Sequence, residues 1–410
     1  MLVAHHIASD GWSMAVLYRE IGICYDAYSH GAEPRLPELQ IQYADFADWQ
    51  QEHLQGETLQ RLVDYWKKQM AGAPALLALP TDHPRPPLQS HRGDTAKVIL
   101  PANLVAKLKH LGTQQRVTFF MTLLAGLSVV LHRHSGQTDL VIGTTLAGRD
   151  AAETDALVGF FINTILMRTN LSGDPTVKEL LQRVRDVSLA AFEYRDMPYE
   201  KLVESLQPQR NLSFDPLCQV YFVLQNMPTA PLQLSGLELS ITPVYTGTAK
   251  SDLTLWAIEQ TDGALEVTAE YALDLFQADT IQRLLGHFQT VLEAMTSNPE
   301  QKLSRLPLLA AGERQRTLAE WNATQAAYPT TKCIHQLFEE QVARTPLATA
   351  LVFDETELTY AELNARADRL AAQLREHQVG ADVLVGVCIE RSLEMMIALL
   401  GILKAGGAYV

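Results

Sequence analysis

Apolar positions recur along the chain at two periods, and the switches between those periods lay out its elements. Residues 1–6 read as a strand in progress, Ser9-Asp10-Gly11 as a turn, and Met14, Leu17, Ile21, Cys24 and Tyr28 as one face of the helix that follows. The run DHPRPPLQSHR at 82–92 is rich in proline and polar residues and reads as a bridge between two lobes. Beyond it the pattern predicts a strand at 96–100 and two helices, the second strongly apolar over 118–131. Strands are predicted at 139–145, 161–169, 218–225 and 237–244, with a helix at 176–194 between the second and third. Residues 252–260 and 264–271 flank Thr261-Asp262-Gly263, where Asp-Gly is a strong hairpin signal, and an amphipathic helix at 278–295 closes the region. The resulting class is α+β, with long helices laid on a sheet rather than strict βα alternation.

Periodicity weakens over 297–331, so residues 298–331 are expected to form a linker. A different rhythm follows, with helix 334–343, strand 349–353, helix 360–376, strand 383–389 and helix 393–404. That is α/β layering, and it reaches Val410 just as a further strand is due. At 410 residues two or three domains are expected, and 47% apolar with 20% charged residues argues against disorder. The 33 basic and 47 acidic side chains leave a formal charge of −14, which repels a phosphate backbone, so no nucleic-acid partner is expected. The apolar stretches at 117–131 and 395–403 are too short or too broken to span a bilayer. With no leader pattern, and with Cys24, Cys218, Cys333 and Cys388 scattered, the expectation is a cytoplasmic chain with reduced thiols and no membrane contact.

The first candidate chemistry is His5-His6-Ile7-Ala8-Ser9-Asp10-Gly11. A neutral imidazole at the end of a strand can take a proton or a hydrogen bond from an amine, although a His-His pair is also simply a polar strand end. Asp10 can cap the helix and pair with a cation, and Gly11 is expected to supply a backbone angle that other residues resist. Adjacent histidines on a strand face opposite sides, and no third ligand stands at metal spacing, so no metal is expected. No GxSxG, GxGxxG or GxxxxGKS/T motif is present.

His5 through Gly11, continued by Trp12 and Ser13, resembles the HHxxxDG signature of the condensation domains of nonribosomal peptide synthetases. Further blocks follow in that family's order over roughly the first 300 residues. Tyr43-Ala44-Asp45-Phe46-Ala47-Asp48-Trp49-Gln50 is similar to YxDFAxW, Val158-Gly159-Phe160-Phe161-Ile162-Asn163-Thr164 to VGxFVNT, and Arg195-Asp196-Met197-Pro198-Tyr199-Glu200 to QDxPFE. Ser213-Phe214-Asp215-Pro216-Leu217 is a looser match to the next element. Read as residues, Trp49, Phe160, Phe161 and Tyr199 are expected in the core.

The resemblance implies a chloramphenicol-acetyltransferase-like fold of two lobes, the first incomplete, occupying 1–297 (1–81 the rest of the first lobe, 93–297 the second). It implies that the amine of a carrier-bound aminoacyl acceptor attacks a carrier-bound thioester donor, with His6 as base or positioner. It makes Asp10 a structural ion-pair member, for which Arg149 is the expected partner, with His5, Gly11, Ser13 and Asn163 in support. Implied partners are donor and acceptor peptidyl carrier domains, which present substrates on phosphopantetheine arms, and the remainder of a multimodular synthetase. No bound cofactor is implied.

Leu358-Thr359-Tyr360-Ala361-Glu362-Leu363 and Leu403-Lys404-Ala405-Gly406-Gly407-Ala408-Tyr409-Val410 resemble the start of an amino-acid adenylation domain at 332–410, a truncated α/β piece of the adenylate-forming fold. ATP and magnesium serve such a domain through a phosphate loop lying beyond Val410, so this chain is not expected to activate an amino acid. The Asp10-Gly11-Trp12-Ser13 continuation resembles the subtype that joins two L-residues. The chain is expected to begin inside its first lobe, about a hundred residues in, and to be poorly soluble and inactive alone. Two other readings are an inactive carrier-binding remnant and a freestanding coenzyme A-dependent acyltransferase.

Overall fold

In the computed structural model, residues 4–207, 211–225, 234–237 and 244–410 are described. They fall into two compact units, Met1–Glu320 and Trp321–Val410. The first unit opens on a 3-10 turn, His6–Ala8, and α1 (Gly11–Ser29). Ala4 and His5 form no strand: the His5 ring accepts from the Ile7 amide and bends the chain at once, which corrects the strand expected at 1–6 for the residues described. Helix α2 (Tyr43–His53) and helix α3 (Gly56–Met70) follow, and α3 buries Leu62, Trp66 and Met70 at four-residue spacing.

Among the described residues, six strands form one mixed sheet: β1 (Gly93–Leu100), β2 (Asp139–Leu146), β3 (Asn163–Asn170), β4 (Val220–Gln225), β5 (Leu253–Glu259) and β6 (Leu265–Ala272), in the order β1-β6-β5-β4-β2-β3. β4 runs parallel to β2 and β5, whereas β1–β6, β5–β6 and β2–β3 are antiparallel. In β6, Leu265, Val267, Ala269 and Tyr271 alternate inward, as a period of two requires when one face is covered. The strand expected at 237–244 lies almost wholly outside the described residues.

Helices α4 (Ala102–Gln115), α5 (Phe119–Ser135), α6 (Val177–Glu193) and α8 (Ala278–Ser297) pack on one another, with α6 against β3 and α8 against β1 and β6. Helix α7 (Tyr199–Leu206) rests on α3. Every residue of α5 from Met121 to Leu131 is buried, because a helix apolar on all sides stays in water on none. Its start is set by Thr118, whose hydroxyl accepts from the Met121 amide. Residues 298–331, expected as a linker, carry Leu303 and Leu306 into this core and then form α9 (Ala311–Gln315) and a π turn, Arg316–Glu320.

The second unit holds α10 (Ile334–Arg344), an antiparallel pair β7 (Thr349–Phe353) and β8 (Thr356–Thr359), α11 (Tyr360–Glu376), β9 (Leu384–Val385), α12 (Leu393–Ala405) and β10 (Ala408–Tyr409). Leu358, Leu363, Ala367, Leu393 and Leu400 form its core. The strand expected at 383–389 shrinks to two residues because its parallel partner β10 offers only two.

Candidate active site

The HHxxxDG turn is built on Asp10, the N-cap of α1. Its Oδ1 accepts from the Ser13 amide at 2.7 Å, which satisfies one of the donors a helix start leaves open. Gly11 is the first residue of α1 and is not among the residues at positive φ, so the expectation of a special backbone angle there is corrected: what the turn needs is the Asp10 cap. His5 stays exposed and caps the 3-10 turn.

His6 is exposed, and its Nδ1 lies 2.8 Å from the Ser9 carbonyl. A carbonyl can only accept, so Nδ1 carries the proton in this contact. In the neutral ring Nε2 then presents a free lone pair. The His6 ring meets the Phe160 ring in a T-shape, with centroids 5.2 Å apart.

Beneath His6 lies a buried polar hub. The side chains of Asp10 and Arg149 are each 1% exposed, and Arg149 Nη2 stands 3.2 Å from Asp10 Oδ1. The guanidinium also donates to Ser13 Oγ at 3.0 Å, to the Leu157 carbonyl at 2.9 Å and to the Thr154 carbonyl, and it lies over the Phe161 ring at 4.0 Å. Burial pulls the Arg149 pKa down, and the Asp10 carboxylate opposes that shift. Arg149 follows Gly148, whose φ of +62° suits glycine and where a Cβ would come within 2.0 Å of the Phe161 carbonyl oxygen.

The hub also holds the backbone of residues 159–161. The Gly159 amide donates to Ser13 Oγ at 3.0 Å, and the Ser13 hydroxyl lies 2.8 Å from the Gly159 carbonyl. The Phe161 amide donates to Asp10 Oδ2 at 3.1 Å. From α2, the Tyr43 hydroxyl donates to the Phe160 carbonyl at 2.8 Å. A Cβ on Gly159 would come within 2.1 Å of the Tyr43 ring, so only glycine lets the two approach.

Thus Asp10, Ser13 and Arg149 meet in one place, and His6 reaches that hub only through the Ser9 backbone and the Phe160 ring. Asn163 does not join them: it donates to the Arg195 and Met197 carbonyls at 2.7 and 2.8 Å and accepts from the Tyr199 amide, pinning the 195–199 turn. Asn163 instead lines a cavity of about 580 Å³ with Phe46, Trp49, Phe161 and Arg195. Trp49, expected in the core, is 54% exposed there, because a cavity rather than a packed helix faces it. Phe160, also expected in the core, is half-buried and touches His6. Its role had no local signal beyond the alternation of the VGFFINT block.

Residues 1–318 match the Condensation domain family, and residues 338–410 match the AMP-binding enzyme family. One of the linear gramicidin synthase polypeptides of Brevibacillus parabrevis is 45% identical over 415 residues, covering 100% of this chain and 8% of the relative. Malpinin synthetase of Mortierella alpina is 44% identical over 410 residues, again covering 100% of the chain but 5% of the relative. The chain thus spans a small part of the curated relatives it matches. Among solved structures, a four-domain nonribosomal peptide synthetase bound to AMP and glycine superposes with a TM-score of 0.84 at 25% identity, over 99% of this chain and 31% of that one. The X-domain from teicoplanin biosynthesis gives 0.69 at 31% identity, over 75% of this chain and 71% of that one.

Proposed function

We propose, for a chain that belongs to the condensation-domain family and continues into the start of an AMP-binding enzyme domain, that its work is peptide-bond formation in nonribosomal peptide assembly. The observation that carries this is the His6 tautomer: with Nδ1–H engaged by Ser9, the exposed ring offers Nε2 to an incoming amine. The acceptor amine, once it donates to Nε2, attacks the thioester carbon. The C–N bond forms, the C–S bond breaks, and the amine proton passes through Nε2 to the departing sulfur. A positioned base of this kind contributes about 10²- to 10⁴-fold. Asp10 and Arg149 act by holding the turn and touch neither reactant.

Donor and acceptor arrive as thioesters on the phosphopantetheine arms of carrier domains, within a multimodular synthetase in the cytoplasm. ATP and magnesium belong to the complete adenylation domain. The Trp12-Ser13 continuation favours L-to-L joining, and the condensation region takes in residues 1–297. In the full-length protein, a donor loaded on its carrier is expected to give the carrier-bound dipeptide, and the same acyl group on coenzyme A is not. Turnover of the coenzyme A donor with a soluble amine, without any carrier, would overturn this reading.

A further inference from the structure

The YADFADWQ block stands outside the chemistry described so far, yet its first residue reaches the wall of the site. Three consecutive backbone positions, 159, 160 and 161, are each held by a side chain. Ser13 takes the Gly159 amide, Tyr43 donates to the Phe160 carbonyl, and Asp10 takes the Phe161 amide. Two of these holds come from the turn that carries His6, and the third comes from α2. Between them the Phe160 ring stands against the His6 imidazole at 5.2 Å, nearly perpendicular at 84°. Ser9 fixes one edge of the imidazole but does not by itself fix the plane of the ring; an aromatic neighbour in T-shaped contact does. Tyr43 is itself wedged against the Phe161 ring, with centroids 5.1 Å apart, and against Gly159, so its hydroxyl has little freedom to leave the Phe160 carbonyl.

We propose that Tyr43 is a positioning residue for His6: its hydroxyl holds the Phe160 backbone so that the Phe160 ring sets the plane of the imidazole and the direction of Nε2. Burial and the nearby Asp10 charge raise the Tyr43 pKa, which keeps the hydroxyl a donor through the neutral range. The inference rests on His6 being the group that meets the amine. It adds that the YADFADWQ block acts on that group through one hydroxyl.

The test is a double-mutant cycle of Tyr43→Phe and Phe160→Leu in the full-length protein, read both as single-turnover peptide formation and as the NMR resonances of the His6 ring. Tyr43→Phe removes one oxygen and keeps the ring packing. We expect kcat to fall about tenfold with KM unchanged, since a small misplacement of a reacting group costs rate rather than binding. Each single variant is expected to move the His6 resonances. Added to Phe160→Leu, Tyr43→Phe is expected to change neither readout further, because a residue acting through another couples with it. Phe160→Tyr, which keeps a ring against the imidazole, is expected to lose less rate and to move the His6 resonances less than Phe160→Leu. Additive losses, a change in KM alone, or His6 resonances untouched by Tyr43→Phe would each overturn the inference. If the wild-type protein formed no peptide bond, the functional reading would fall, and the resonances alone would still decide whether Tyr43 positions the ring.

Discussion

Arg149 meets Asp10 where both side chains are almost wholly buried, with Ser13 and two carbonyls taking the other Nη donors of the guanidinium. Removing one partner of such a pair strands the other charge in a low-dielectric site, which costs about 3–5 kcal/mol. Arg149→Ala is therefore expected to lower the stability of the first unit by that amount in urea denaturation. An unchanged midpoint would remove the hub from the account. Arg149→Lys is expected to recover little, since one ammonium cannot serve an Asp, a Ser and two carbonyls in a plane. At this scale the site was partly legible. An Asp three residues before Ser13 at a helix start announces a cap, and the chemistry of a neutral His can be read from a motif. The holds on Gly159, Phe160 and Phe161 could not be read, because they join residues 117 to 151 positions apart and depend on how separate elements dock.

Helix α9 shows how a weakly periodic segment is tied down. His287 on α8 donates from Nε2 to Glu313 on α9 at 3.0 Å, and in the neutral ring its Nδ1 accepts from His134 Nε2 on α5, also at 3.0 Å. Burial, then the neighbouring His287, Arg133 and Arg283, push the His134 pKa below its ordinary 6.5, against the pull of Glu313. A histidine whose pKa is depressed by folding binds fewer protons in the folded form, so the first unit keeps this stability above pH 6.5 and loses part of it as pH falls below. The urea midpoint of the first unit is expected to fall between pH 6.5 and 5, and His134→Gln to flatten that dependence; an equal midpoint across the range would contradict it. Elements with strong local signals were legible. Thr359 and Glu362 form the capping box that starts α11, and Gly406 at φ +93° ends α12. The strand expected at 349–353 is β7, whereas β8 escaped because it is only four residues long; the opening strand failed over residues 4–6 because His5 makes a local cap that periodicity does not register.

Across the whole molecule the contacts divide the chain after Glu320, and each unit has its own core. The division between an α+β body and an α/β start followed from the change of rhythm, because each layer architecture imposes its own period on the sequence. The division falls inside the segment 298–331 expected as a linker, whose Leu303 and Leu306 reach the first core without helical or strand spacing. In the first unit the sheet fixes the ends of β2 and β3, the residues between them carry Arg149 and Phe160, and the HHxxxDG turn docks on both. The site is thus a product of tertiary packing around one imidazole. The most direct test is the rate of carrier-bound dipeptide formation by the full-length protein with His6→Ala, both carriers loaded to the same extent as in wild type. The expected result is a fall in kcat of about a hundredfold or more, and a rate within a few-fold of wild type would contradict the account.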